Sequence, residues 1–297
     1  MNALNNHIAL EVTSNPFQLS TAEGQSIKGQ IDTPLAGVIG RCILLPAFGL
    51  TTQDLNAMSY YLLINGFEVI RFDPTCHVGI SDGEVAHFKL SQFAADIETV
   101  VNSLANRQTC VISISLSCRP ALRVIAKAAL KGLFLLSPVV NARQTLHEVC
   151  GEDLIGQYLD GTAPASYSIL GMTVARAFCK DCVEKEFDSL ASTLMEASSI
   201  ETPTRVIAGS EDRWVALEEV AQLAAAMPSC KLIKLDGANH QMFRSPVIFQ
   251  AYLKVLLHEL FIAYEVQSEP DLPRFSEVVR YINGIKREQK AAAAICG

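Results

Sequence analysis

Short apolar runs separated by longer amphipathic stretches recur along this chain, and that alternation limits its fold more than any other feature. Six runs read as strands: Cys42–Leu45, Glu68–Phe72, Cys110–Ser113, Leu133–Leu136, Arg205–Ala208 and Lys231–Leu235. Each is apolar enough to be buried on both faces, the pattern of a parallel strand covered by helices. Between them, Leu55–Ile64, Gln92–Ala105, Arg119–Lys131, Leu217–Met227 and Val247–Tyr264 carry helical spacing. This order predicts an α/β fold with a mostly parallel central sheet. Ser26–Ile31 reads as an antiparallel edge strand at its start.

One interval breaks the rhythm. Roughly 65 residues lie between the Leu133–Leu136 run and Arg205, where a connection of a few residues is usual. We expect an inserted helical cap at residues 139–199, with 1–138 and 200–297 forming the core domain. Phe275–Ala294 reads as a charged terminal helix, set apart by Pro270 and Pro273.

The chain has 297 residues, 49% of them hydrophobic and 19% charged, which excludes a disordered protein and allows a full core. A net charge of −7 supplies no basic footprint for nucleic acid. The nine cysteines are irregularly spaced and several lie in apolar runs, which fits buried thiols in a reducing cytoplasm better than a disulfide framework. Met1–Leu10 is too polar for a signal peptide. The longest apolar run, Gly132–Val140, is broken by Ser137 and Pro138. It falls well short of the ~20 residues of a membrane helix, so no membrane insertion is expected.

The chemistry concentrates after three strands. Cys110-Val111-Ile112-Ser113-Ile114-Ser115-Leu116-Ser117 takes an apolar strand into a serine flanked two residues away on each side by small residues, with a helix following. That is a nucleophile-elbow pattern, with Ser113 and Ser117 where glycines are usual. The competing reading is a serine-rich turn with Ser117 as a helix N-cap. Asp212, in Gly209-Ser210-Glu211-Asp212-Arg213-Trp214, follows the Arg205–Ala208 strand. His240, in Asp236-Gly237-Ala238-Asn239-His240, follows Lys231–Leu235. The order serine, acid, histidine, all at carboxyl ends of strands, is that of an α/β-hydrolase. A serine hydroxyl needs an imidazole to take its proton, and the imidazole needs an acid to orient it. Taken alone, His240 would be a packed loop histidine and Asp212 a turn residue. Glu211 is the adjacent competing acid and Asp236 a weaker one.

An oxyanion hole needs two amides. The Leu116 amide is expected to supply one, and Phe48, in the Pro46-Ala47-Phe48-Gly49 loop, the other. Trp214, the only tryptophan, is a candidate for lining the substrate site. Asp73-Pro74-Thr75-Cys76-His77-Val78-Gly79-Ile80-Ser81 is similar to a loop of hydrolases of this fold, and we read it as support for the fold. Cys179-Lys180-Asp181-Cys182 is a lone C-x-x-C without a second ligand pair, read as two incidental cysteines. Arg119, Arg123, Lys127 and Lys131 fall at i, i+4 spacing. They form either a solvated helix face, which we favour, or a dock for an acidic carrier protein.

These residues together resemble the fatty acyl transferase family of bacterial luminescence, acyl-carrier-protein thioesterases that supply fatty acid to an acyl reductase. The resemblance runs through Ile64-Asn65-Gly66-Phe67, Arg71-Phe72-Asp73, His77-Val78-Gly79-Ile80-Ser81 and Ser115-Leu116-Ser117. It continues in Val140-Asn141-Ala142-Arg143-Gln144-Thr145-Leu146, Lys180-Asp181-Cys182, Asp212-Arg213-Trp214-Val215 and His240, to Glu269-Pro270-Asp271. It implies an α/β-hydrolase fold and a triad at Ser115, Asp212 and His240, with a lid at Val139–Ser199. A glycine-free elbow is a trait of that family. It also implies cleavage of long-chain acyl thioesters through an acyl-enzyme, with acyl carrier protein or acyl-CoA as substrate carrier and an acyl reductase as a partner. The chemistry calls for no metal or bound cofactor. Two other functions stay open: a carboxylic-ester hydrolase of a small metabolite, and a non-catalytic interaction protein of the same fold.

Overall fold

Residues 10–284 are described by the computed structural model. The readings over residues 1–9 and beyond residue 284 lie outside the described residues. Within them the chain runs β1 (Val12–Ser20), β2 (Ser26–Pro34), β3 (Gly40–Leu45), α1 (Asn56–Ile64), β4 (Phe67–Asp73), α2 (Leu90–Leu104), β5 (Thr109–Ile114), α3 (Cys118–Ile125) and β6 (Gly132–Leu136). The interval to the next core strand holds α4 (Ala142–Cys150), α5 (Leu154–Leu159), β7 (Ser166–Ile169), β8 (Met172–Ala175), α6 (Ala177–Glu184) and α7 (Leu190–Ala197). The chain returns with β9 (Thr204–Gly209), α8 (Leu217–Ala226), β10 (Cys230–Leu235) and α9 (Pro246–Ala263). Residues 275–284 are also helical.

The main sheet has eight strands in the order β1-β2-β4-β3-β5-β6-β9-β10. From β4 to β10 every pairing is parallel, while β1–β2 and β2–β4 are antiparallel. Alternation along each strand decides what lies on each face, because successive side chains point to opposite sides. Cys42 and Leu44, Cys110 and Ile112, Phe134 and Leu136 pack with α1 and α9. Ile43 and Leu45, Val111, Leu133 and Leu135 pack with α2, α3 and α8 on the other side. Burial on both faces explains why these strands read as unbroken apolar runs.

Three differences from the sequence reading have physical causes. β1 carries few apolar residues, because it is an edge strand whose side chains are mostly exposed; backbone pairing along its nine residues with β2 holds it. Second, α3 stops at Ile125 although helix-forming residues continue to Lys131. The Lys131 amide already bonds the Thr109 carbonyl, which pulls the chain back to the sheet before β6. Third, the interval between β6 and β9 holds helices as expected, together with the antiparallel hairpin β7–β8.

This interval is joined to the core by buried polar contacts. Arg119, at the start of α3, is fully buried and donates to Glu196 of α7 and, at 2.7 Å, to the Glu186 carbonyl. Arg123 lies 3.7 Å over the Phe187 ring. Arg119 is therefore neither part of a solvated face nor free to meet a carrier protein. Asp181 of α6 accepts the Ser91 amide at 2.9 Å, at the start of α2.

Among the described residues one helix, α9, is long and apolar enough to cross a membrane. Here Phe249, Tyr252, Leu253, Leu256, Leu257 and Leu260 bury one face of it in the core.

Candidate active site

β5 is buried at every position and ends at Ile114. Ser115 follows with φ +57°, and a single 3-10 turn, Ser115–Ser117, leads into α3. A non-glycine residue in this region costs roughly 1–3 kcal/mol and persists only where its surroundings hold it. Several bonds do so. The Ser115 carbonyl accepts the Val139 amide at 3.1 Å. The Ile114 amide donates to Ser117 Oγ at 2.9 Å, and the hydroxyls of Ser113 and Ser117 lie 2.8 Å apart. Both of those serines are fully buried. The two residues that replace the usual glycines thus form the internal brace of the turn. Ser117 does not cap α3; its side chain turns back onto Ile114.

The acid and histidine loops are stitched to each other before they reach this turn. The Ser210 amide bonds the Leu235 carbonyl and the Glu211 amide the Ala238 carbonyl, each at 2.9 Å. The Gly237 amide bonds Ser210 Oγ at 2.9 Å. A Cβ on Gly209 would run into the Ala238 carbonyl, so only glycine lets the loops cross this closely.

Asp212 Oδ1 accepts the amides of Trp214 at 3.0 Å and Val215 at 3.1 Å. Those bonds turn Oδ2 toward His240, whose Nδ1 lies 2.7 Å away. His240 Nε2 is 2.6 Å from Ser115 Oγ. With Nδ1–H donating to the carboxylate, Nε2 carries the lone pair and accepts the serine hydroxyl. The Asp212 and His240 side chains are 4% and 6% exposed, so this chain of bonds is shielded from competing water. Glu211 is exposed, and Asp236 is 93% exposed beside Lys234. Neither reaches His240. Trp214 lies against the imidazole, with ring centroids 4.7 Å apart.

The Phe48 amide has no backbone acceptor among the described residues, and the Leu116 amide directly follows Ser115 in the turn. The Phe48 ring packs on His77 and Phe88. Met172, on β8, covers the Phe48 turn so closely that a Cβ on Gly49 would run into its methyl. Sequence reasoning had no signal for that residue, because its place depends on how the hairpin folds back.

Cys179 and Cys182 are buried, and burial pushes the Cys179 thiol up to about 11 and Cys182 well above its ordinary value. Such thiols stay protonated at neutral pH. No group of three or more histidine, cysteine or acidic side chains among the described residues is arranged to hold a metal ion.

The family model for acyl transferases matches residues 41–268, which takes in the elbow, both late loops and the whole interval between β6 and β9. The chain belongs to the acyl transferase family. It is 30% identical over 216 residues to an acyl transferase of Vibrio harveyi, covering 71% of this chain and 70% of that one. An acyl transferase of Aliivibrio fischeri (strain MJ11) is 29% identical over 238 residues, 77% of each chain. One from Photobacterium phosphoreum is 28% identical over 217 residues, 71% of each.

Solved structures give the fold of this family member. Est1E of Butyrivibrio proteoclasticus, with ferulic acid bound, superposes with a TM-score of 0.67 at 17% identity, over 83% of this chain and 99% of that one. Alpha/beta hydrolase domain-containing protein 10 from mouse gives 0.64 at 16%, over 84% and 98%. The fold is that of the α/β hydrolases, as the order of serine, acid and histidine implied.

Proposed function

We propose that this acyl transferase family member cleaves long-chain fatty acyl thioesters through an acyl-enzyme on Ser115. The observation that carries this reading is the continuous hydrogen-bonded line from Ser115 through His240 to Asp212, ending at a strained, braced turn. Ser115 Oγ attacks the thioester carbonyl carbon as its proton passes to His240 Nε2, while Asp212 stabilises the imidazolium. The negative charge that develops on the carbonyl oxygen is taken by the amides of Leu116 and Phe48. Collapse breaks the carbon–sulfur bond, and the leaving sulfur takes the proton from His240. Water, or another acceptor, then attacks the acyl-serine while His240 removes its proton, and Ser115 regains a proton as the acyl group departs.

Phe48, Leu116 and Val139 belong to one apolar cluster, Met172 of the hairpin and Trp214 pack against it, and together they supply an apolar lining for the acyl chain. Each methylene buried among them is worth about 0.8 kcal/mol, roughly fourfold in affinity, so depth of burial selects chain length. The interval between β6 and β9 serves as the cap over this site. Acyl carrier protein or acyl-CoA delivers the chain, and an acyl reductase or water receives it. Burial of most of the free cysteines suits a reducing cytoplasm.

Intact-mass analysis after incubation with acyl-CoA thioesters of graded length tests this directly. The expected result is an acyl adduct that grows with chain length and is absent in Ser115→Ala. Turnover of short carboxylic esters without any thioester adduct would favour a small-ester hydrolase instead.

A further inference from the structure

We infer that His77 is a positioning residue for acyl transfer, holding the turn that presents the Phe48 amide to the substrate oxygen. This rests on the function proposed above. The turn runs from Ala47 to Leu50. Its ends are joined by the Leu50 amide donating to the Ala47 carbonyl at 3.0 Å, and Gly49 has φ +83°. A positive φ at the third residue marks a type II turn, in which the central peptide, between Phe48 and Gly49, stands in one of two flipped orientations. The Gly49 amide belongs to that peptide, and it donates to His77 Nε2 at 3.0 Å. The bond to Ala47 orients the peptide on one side of Phe48, and His77 orients the peptide on the other.

This contact also specifies the state of the imidazole. An amide N–H can only donate, so Nε2 carries the lone pair and Nδ1 the proton. Nδ1 is buried and makes no hydrogen bond of ordinary geometry among the described residues. The ring is 4% exposed and boxed by Phe48, Phe88 and Phe93, at centroid distances of 5.6, 5.3 and 6.4 Å. A charged ring has no solvent here; burial pushes its pKa down to about 4, and the Val78 backbone only partly offsets this. Protonation would also set a second donor against the Gly49 amide. The histidine therefore stays a neutral acceptor through the neutral range, and the turn stays fixed. A buried, half-satisfied imidazole is costly. Its cost is understandable if the acceptor serves the turn, whereas a phenylalanine would fill the same box without a buried polar atom.

Two His77 variants and one spectrum test the assignment. His77→Phe keeps the ring volume and removes the acceptor; His77→Gln places an oxygen acceptor near the Nε2 position. Burst kinetics with palmitoyl-CoA should show His77→Phe acylating at least tenfold more slowly, with KM within about twofold of wild type. That loss approaches the ~100-fold or more of a missing oxyanion donor. His77→Gln should recover most of the rate, and affinity for a long-chain alkyl boronic acid should fall in parallel in His77→Phe. A folded His77→Phe that acylates at the wild-type rate, or a His77→Gln no faster than it, overturns the role. Should His77→Phe not fold, nitrogen-15 histidine spectra of the wild-type chain decide: a bare Nε2 and protonated Nδ1 at pH 7 support the role, and the opposite tautomer overturns it. A wild-type chain that never acylates sinks the proposed function and this role together. Wild-type acylation matched by His77→Phe sinks this role alone.

Discussion

Ser113 and Ser117 share a 2.8 Å hydrogen bond directly beneath Ser115, at the two positions where a nucleophile elbow ordinarily carries glycine. The same Ser117 oxygen accepts the Ile114 amide at 2.9 Å. The brace replaces glycine's conformational freedom with hydrogen bonds inside the turn.

Ser117→Ala strips the Ile114 amide of its acceptor at a fully buried site. We expect a loss of about 1–3 kcal/mol in urea unfolding. Ser113→Ala, which leaves that amide satisfied, should cost no more than about 1.5 kcal/mol. Equal stability of Ser117→Ala and wild type would show that the brace carries no load.

The positive φ of Ser115 should be visible as stored strain. Ser115→Ala and Ser115→Gly both delete the hydroxyl, so both should lose acylation. They should differ in stability, because only glycine is at ease at φ +57°. Thermal unfolding is expected to rank Ser115→Gly above Ser115→Ala by about 1 kcal/mol. The reverse order would mean that the turn is unstrained.

Asp212→Asn should hold the amides of Trp214 and Val215 through its remaining oxygen while failing to orient His240. An acylation rate lower by about 10⁴-fold, with unfolding little changed, is the expected result. Glu211→Gln, at an exposed side chain, should acylate at close to the wild-type rate.

Two buried groups should give stability opposite pH dependences. Asp96 accepts the amide and hydroxyl of Thr75, yet burial outweighs those bonds and raises it to about 6. The folded state then holds a proton that the unfolded state releases between about pH 4 and 6. Its favourable contribution is complete below that window and is lost as pH rises through it. Relative to wild type, Asp96→Asn should therefore gain up to about 3 kcal/mol from pH 4 to pH 7. His77 runs the other way. Its folded value of about 4 lies below the ordinary 6.5, so its contribution is complete above pH 6.5 and is lost as pH falls toward 4. Urea unfolding of Asp96→Asn and His77→Gln across this range reads each slope; a flat difference for either would contradict the burial argument.

Trp214 is the only tryptophan in the chain, and its ring lies 4.7 Å from that of His240. An acyl chain arriving on Ser115 must enter its surroundings. Emission should shift when a long-chain thioester is added to wild type, with the time course of the acyl adduct. In Ser115→Ala any change should follow binding alone and lack that slow phase.

Much of this was legible locally. The core strands and helices follow from apolar spacing, because the side of a strand or helix that a residue occupies depends on its position in a short window. Ser115, Asp212 and His240 could be picked out because each ends a strand, and strand ends in such a sheet point to one edge. The edge strand β1 left little trace, since backbone pairing rather than side-chain burial holds it. Arg119 was misleading for a related reason. Its spacing is that of a surface helix face, and only the arrival of α7 from across the interval makes it a buried partner of Glu196.

Residue order and spacing determined the α/β architecture and the three strand ends that carry Ser115, Asp212 and His240, since hydrophobic period and chain order act within each segment. Only tertiary packing decided that Asp212 rather than Glu211 faces the imidazole, that Ser113 and Ser117 brace the elbow, and that His77 grips Gly49. Those choices depend on a few ångströms of approach between loops far apart in the chain, a distance that no local pattern encodes.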